Sequence, residues 1–144
     1  MGLISSAQIL SLDTNIFIAA YDPENIHHSK CLQILNEIIA VNPRVFVSVL
    51  VFEEFLVLIY KQNLEKNLVF YEDFLTGNGF FTVVDFTKQV ARLAAKVRAK
   101  YPKVKTPDAI HLASAIESGA KVFITTDKRL PKKVEGLTIQ SLRD

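Results

Sequence analysis

Short apolar runs of strand length alternate with longer stretches of helical periodicity along this chain, and that alternation limits its fold more than any other feature. The runs are Ile9–Leu12, Val45–Ser48, Phe80–Val84, Val122–Thr125 and a weaker Leu137–Gln140. All are rich in Val, Ile, Phe or Thr, whose branched and aromatic side chains suit a pleated, buried surface. Between them, His28–Ala40 places apolar residues at Cys31, Leu32, Ile34, Leu35, Ile38 and Ile39, the spacing of one helical face. Leu50–Gln62, Glu65–Leu75, Lys88–Ala99 and Pro107–Ser118 also read as helices. Strands that alternate with helices are joined by right-handed crossovers, so the expectation is an α/β fold with a five-stranded parallel sheet covered on both faces.

Two helix boundaries carry clear local chemistry. Thr106-Pro107-Asp108 offers an N-cap hydroxyl, a proline at the first helical position and an acid in the first turn. Gly119 suits a left-handed cap at the end of that helix, and Asn78-Gly79 supplies a turn before the third run. With 144 residues, no internal repeat and no linker, the chain reads as a single domain over 1–144.

A net charge of +2 does not by itself announce a nucleic-acid or membrane partner, so any basic surface must be local. Cys31 is the only cysteine, which excludes an intramolecular disulfide and a zinc-finger type of site, and suits a reducing cytoplasm. The opening MGLISSAQILSL lacks the basic flank and long apolar run of an export signal. Residues 45–60 are membrane-like in composition, but Glu53 and Glu54 interrupt them, and no membrane span is expected.

The chemistry lies in the acids. Asp13 follows the run ILSL and Asp127 follows VFITT, so both belong at the C-terminal ends of strands, the edge where open parallel sheets bind ligands. Asp108 opens the helix leading into the fourth strand, and Glu54 lies early in the helix after the second. Taken singly, Asp13, Asp108 and Asp127 could be helix caps or dipole partners. Glu54 sits in a helix apolar on nearly every side, where a carboxylate needs a partner such as a metal or Arg44; periodicity does not choose between Glu53 and Glu54. Four acids at one edge repel one another unless a cation joins them, and oxygen-only donors suit Mg²⁺ or Mn²⁺.

These segments resemble the motifs of PIN domains. SLDTNIFI (residues 11–18) is similar to the first motif, and SVLVFEEF (48–55) to the second, in which a Glu stands six residues after a Ser; that spacing selects Glu54. TPDAIHLASA (106–115) and FITTDKRL (123–130) resemble the third and fourth. The resemblance implies a three-layer α/β/α sandwich with a mostly parallel sheet, and metal-dependent endoribonuclease activity. It implies that Asp13, Glu54, Asp108 and Asp127 carry the metal, with Asp13 and Asp108 as direct ligands, Glu54 acting through water, and Asn15 and Thr125 in support. One Mg²⁺ or Mn²⁺ is implied; a second is conditional, because Leu130 stands where some relatives carry another acid. Small stand-alone PIN domains include VapC-like toxins, which implies a cognate antitoxin and a homodimer. A PIN-like domain that binds or processes RNA outside such a pair, with or without turnover, is the alternative.

Other residues are weighed against plainer roles. His111, three residues after Asp108, could join the site or simply pack beside it, and His27 and His28 mark a helix start. Two basic clusters flank the acids: Lys96, Arg98, Lys100, Lys103 and Lys105 before Asp108, and Lys128, Arg129, Lys132 and Lys133 after Asp127. Lys103, Lys105, Lys128 and Arg129 are the candidates for RNA phosphate contacts. Phe70, Tyr71 and Phe74 are candidates for a subunit contact. A response-regulator receiver would show paired acids after the first strand, and a haloacid-dehalogenase-like phosphatase a second Asp where Asn15 stands.

Overall fold

The structure, a computed structural model, describes residues 2 and 4–142. Met1, Leu3, Arg143 and Asp144, which the expected single domain and the reading of the N-terminal stretch include, lie outside the described residues. The elements run β1 (Ile9–Leu12), α1 (Thr14–Tyr21), α2 (His28–Val41), β2 (Arg44–Ser48), α3 (Val49–Lys61), a 3₁₀ turn (Glu65–Asn67), α4 (Leu68–Thr76), β3 (Thr82–Val84), α5 (Lys88–Lys100), α6 (Thr106–Ser118), β4 (Val122–Thr125), β5 (Lys133–Val134) and β6 (Leu137–Ser141).

One sheet of order β3-β2-β1-β4-β6-β5 forms the middle layer, parallel throughout except for β5 against β6. Side chains alternate across it as strand geometry requires. Leu10, Leu12 and Ile124 pack into one core with α1 to α4, while Ile9, Phe123, Leu137 and Ile139 pack into a second with α5 and α6. The result is the expected α/β/α sandwich. Among the described residues, no helix is long and apolar enough to cross a membrane.

Among the described residues the sheet has six strands, not five. β5 is two residues long and pairs through the tight turn Val134-Glu135-Gly136-Leu137, where Glu135 and Gly136 both have positive φ (49° and 85°). That is the backbone of a two-residue hairpin turn matched to strand twist. Helix α1 also forms where no helix was expected, and Glu65–Leu75 divides into a 3₁₀ turn and α4. Helix α6 begins at Thr106 itself, so its hydroxyl is not the cap; Lys105 holds the cap position without a side-chain bond. Gly119 takes the left-handed conformation at the other end (φ 83°).

β1 pairs with β2 on one side and β4 on the other. The strand order therefore changes direction between β1 and β4, and a crevice opens beyond their carboxyl ends at such a switch point. Asp13 and Asp127 follow those two strands.

Candidate active site

Asp13 stands between β1 and α1 in extended conformation, and its backbone N–H donates to the Ile124 carbonyl at 3.0 Å, extending the β1–β4 ladder by one residue. Its side chain does not cap α1. It accepts a hydrogen bond from the Thr125 hydroxyl at 2.7 Å, and the same Oγ1 accepts from the Asp127 backbone N–H at 3.0 Å. The buried Thr125 thus ties the two strand ends together. Burial is the main force raising the Asp13 pKa, against the lowering effects of His111, of the Thr125 bond and of a backbone bond from Thr14; the Glu54 charge adds to the rise.

Asp108 occupies the first turn of α6. Desolvation raises its pKa most, then the charges of Asp13 and Asp127, with His111 and Arg129 opposing. Through Asp108, three aspartates from three parts of the chain act within one electrostatic neighbourhood.

Asp127 is already partnered. Arg129 donates to its Oδ1 from the backbone N–H at 2.8 Å and from Nε at 3.0 Å, and to Oδ2 from Nη2 at 3.1 Å. These bonds, the Arg129 side-chain bond foremost, hold the Asp127 pKa below the usual range. The Arg129 side chain is itself 84% exposed, so the pair is reachable from solvent.

Glu54, on α3, is tied down on the other flank. Its Oε1 accepts from Thr14 Oγ1 and from His111 Nε2, each at 2.7 Å. The His111 bond is the largest cause of its lowered pKa. Glu53 is exposed, so the structure separates the two glutamates that periodicity could not. Arg44 is not the partner: its guanidinium lies over the Phe46 ring, 5.6 Å from the centroid, on β2.

Lys103, Lys105, Asp108, Asp127, Arg129 and Leu130 line a cleft of about 390 Å³. Lys128 is exposed beside it but does not line it. Lys96 and Lys100, from the same basic stretch as Lys103, turn instead to Glu135 (3.7 and 3.2 Å). Asn15 is exposed on α1 and holds no hydrogen bond to the four acids, while its neighbour Thr14 does. Thr14 and the Glu54-binding role of His111 escaped the sequence reading; the only signals were adjacency to Asp13 and the three-residue step from Asp108.

With Asp127 turned onto Arg129 and Glu54 onto His111, no group of three or more His, Cys, Asp and Glu side chains among the described residues is poised to hold a metal ion. The donor chemistry nevertheless suits one. Asp13 and Asp108 are oxygen donors pushed toward protonation by burial and by like charge, from Glu54 on Asp13 and from Asp13 and Asp127 on Asp108, a condition that a hard divalent cation relieves.

A family model described as PIN domain matches residues 10–136. No curated protein matches the chain by sequence. Among solved structures it is similar to a toxin–antitoxin complex from Klebsiella pneumoniae, at 23% identity and TM-score 0.68, covering 90% of this chain and 95% of that one. It is similar also to VapBC2 from Rickettsia felis bound to a DNA fragment from their promoter (19%, TM-score 0.69, 94% and 100% covered). FitAcB from Neisseria gonorrhoeae is a further likeness (15%, TM-score 0.67, 92% and 97%). At these identities the likeness is one of fold.

Proposed function

The chain belongs to the PIN-domain family, and from that premise we propose that it is a divalent-metal-dependent endoribonuclease hydrolysing RNA phosphodiester bonds. The observation that carries the reading is the pair Asp13 and Asp108. They come from different elements beside the switch point, neither makes a side-chain cap, and both are held above the ordinary carboxylate range. The opposing effects of His111 on both and of Arg129 on Asp108 do not offset their burial, and Mg²⁺ or Mn²⁺ suits their oxygen donors.

Asp13 and Asp108 would hold the ion directly, with Asp127 joining them once released from Arg129. One ion suits this set; a second is conditional, because Leu130 stands where some relatives carry another acid. When bound, such an ion neutralises phosphate charge and makes a water molecule more acidic. Thr125 keeps the Asp13 carboxylate in one orientation through its 2.7 Å bond. Glu54, fixed through Oε1, is placed to orient the attacking water and take its proton. The water oxygen forms the new bond to phosphorus as the bond to the leaving ribose oxygen breaks, with no covalent enzyme intermediate. Lys103 and Lys105 line the cleft beside the acids and would contact flanking phosphates, together with Arg129 and, from the rim, Lys128.

Within the family the chain reads as a VapC-like toxin of the cytoplasm, with a cognate antitoxin as partner. The fold likeness to toxin–antitoxin complexes supports this. A homodimer would use the exposed Val69 and Phe70 (79% and 69% exposed) beside Tyr71 and Phe74. The alternative in its non-cutting form, a PIN-like domain that binds RNA without turnover, draws on the Asp127–Arg129 pair, which occupies one of the four acids.

Incubation of purified protein with mixed RNAs, in Mg²⁺ or Mn²⁺ and in EDTA, tests the proposal. Cleavage confined to the metal-containing samples and absent from Asp13→Asn is expected. Equal cleavage by Asp13→Asn and wild type would contradict it, and tight RNA binding without cleavage would favour the alternative. Co-purification with the product of an adjacent gene separates toxin from housekeeping enzyme.

A further inference from the structure

His111 is 2% exposed, in the middle of α6, in a position that packing alone would fill with an apolar side chain. Its Nε2 meets Glu54 Oε1 at 2.7 Å, and its Nδ1 is buried with no hydrogen-bond partner. An ionised carboxylate can only accept, so Nε2 carries the hydrogen of this bond. The ring therefore leaves one nitrogen unsatisfied while aiming the other at Glu54. A buried polar atom without a partner costs stability, and such a cost marks a position retained for something other than packing.

Thr14 Oγ1 approaches the same Oε1 at 2.7 Å from the start of α1, and lies 3.4 Å from His111 Nε2. Two donors from two elements thus converge on one oxygen of Glu54, whose own helix, α3, is a third. We propose that His111, with Thr14, is a positioning residue that dedicates Oε1 of Glu54 to the scaffold and leaves Oε2 to serve the metal and its water. The role resembles that of groups which orient metal ligands from behind, whose removal typically lowers metal affinity or activity by roughly 10–100-fold. It rests on the nuclease reading for its catalytic consequence, while its effect on metal affinity is measurable without RNA.

The test compares His111→Leu, which keeps the apolar packing but removes the donor, with His111→Gln, whose amide nitrogen reaches toward the place of Nε2. Mn²⁺ affinity is measured by calorimetry on the full-length protein, kcat and KM on an RNA substrate, and the melting temperature without metal. His111→Leu should lose kcat by about 10-fold or more and Mn²⁺ affinity by a smaller, severalfold factor, since Glu54 reaches the ion through water, with KM within about twofold and a metal-free melting temperature close to that of wild type. His111→Gln should recover most of both, and Thr14→Val should repeat the loss more weakly.

Wild-type Mn²⁺ affinity and kcat in His111→Leu would overturn the inference and leave the nuclease reading standing. So would losses that Gln does not restore and that follow a lowered melting temperature, since these describe a purely structural histidine. If the wild type binds Mn²⁺ but cuts no RNA, the affinity comparison still decides the positioning role. If it binds no Mn²⁺, both readings fall.

Discussion

Two pairs of acids share one edge of the sheet, and the protein treats them in opposite ways. Asp13 and Asp108 are desolvated and held above the ordinary carboxylate range. Glu54 and Asp127 are held below it, each by a side chain supplied for the purpose: His111 for Glu54, Arg129 for Asp127. The inner pair carries an unmet electrostatic demand, and the outer pair has its demand met by protein. A site meant only for structure would satisfy all four, and a finished cation cage would satisfy none. In the proposed mechanism the inner pair would hold the metal and the outer pair would serve orientation and exchange.

The sharpest way to break this contrast is to neutralise one acid of each pair. Asp13→Asn should lower kcat for RNA cleavage by about 100-fold or more, the scale of losing a metal ion's charge stabilisation of the transition state. Asp127→Asn should cost about 10-fold, comparable with loss of a supporting group. Steady-state kinetics on a single RNA would decide, and equal losses would erase the distinction between inner and outer acids.

The link between the pairs comes next. Thr125→Val removes the buried hydroxyl that donates to Asp13 and accepts from the Asp127 backbone. It should destabilise the fold by about 1–3 kcal/mol, the range for leaving a buried polar group without its partner. A denaturant midpoint lowered without change of slope is the expected reading; an unchanged midpoint would mean that the strand ends do not depend on this tie.

The pairs should also differ in how they respond to pH without metal. Asp13 and Asp108 have folded pKa values above the ordinary aspartate value of about 3.9, so the stability they contribute is full below it and is lost as pH rises through their raised values. Glu54 and Asp127 behave in the reverse sense: their contribution is present above the ordinary values and is lost as pH falls through the lowered ones. Melting curves in EDTA should therefore show Asp108→Asn more stable than wild type at pH 7, with the two converging toward pH 4. Asp127→Asn should differ from wild type only by a small destabilisation at neutral pH. An Asp108→Asn protein less stable than wild type at pH 7 would reverse the sign assigned to the inner pair.

The smallest effect concerns Arg129, exposed at the mouth of the cleft. Arg129→Gln should tighten Mn²⁺ binding severalfold, because Asp127 no longer has to leave a guanidinium, and should raise KM for RNA through loss of a phosphate contact. Opposite signs in the two measurements are the signature; weakening of both would make Arg129 a purely structural partner of Asp127.

Much of this was legible in the chain because period and edge position follow directly from residue order. The runs ending at Leu12 and Thr125 placed Asp13 and Asp127 at strand ends, and Gly119 closed α6 as its lack of a β-carbon allows. Lys133–Val134 was not legible, since two residues carry no period and a Glu-Gly turn is a weak hairpin signal. Helix α1 was hidden because Ile16, Phe17, Ile18, Ala19 and Ala20 are apolar without a clear polar face. The choice of Glu54 over Glu53 could be taken only from family spacing, because its physical cause, His111, lies 57 residues away along the chain. Contacts at that separation leave no mark in local periodicity. The division of the acids into two pairs was equally hidden, since it depends on the Arg129 side chain folding back on Asp127.

The most direct test of that division is a calorimetric titration of Mn²⁺ into wild type, Asp108→Asn and Asp127→Asn under identical conditions. Wild type should bind clearly, Asp108→Asn should lose affinity by at least about tenfold, and Asp127→Asn should lose much less. Equal losses in the two variants, or no binding by wild type, would contradict that division.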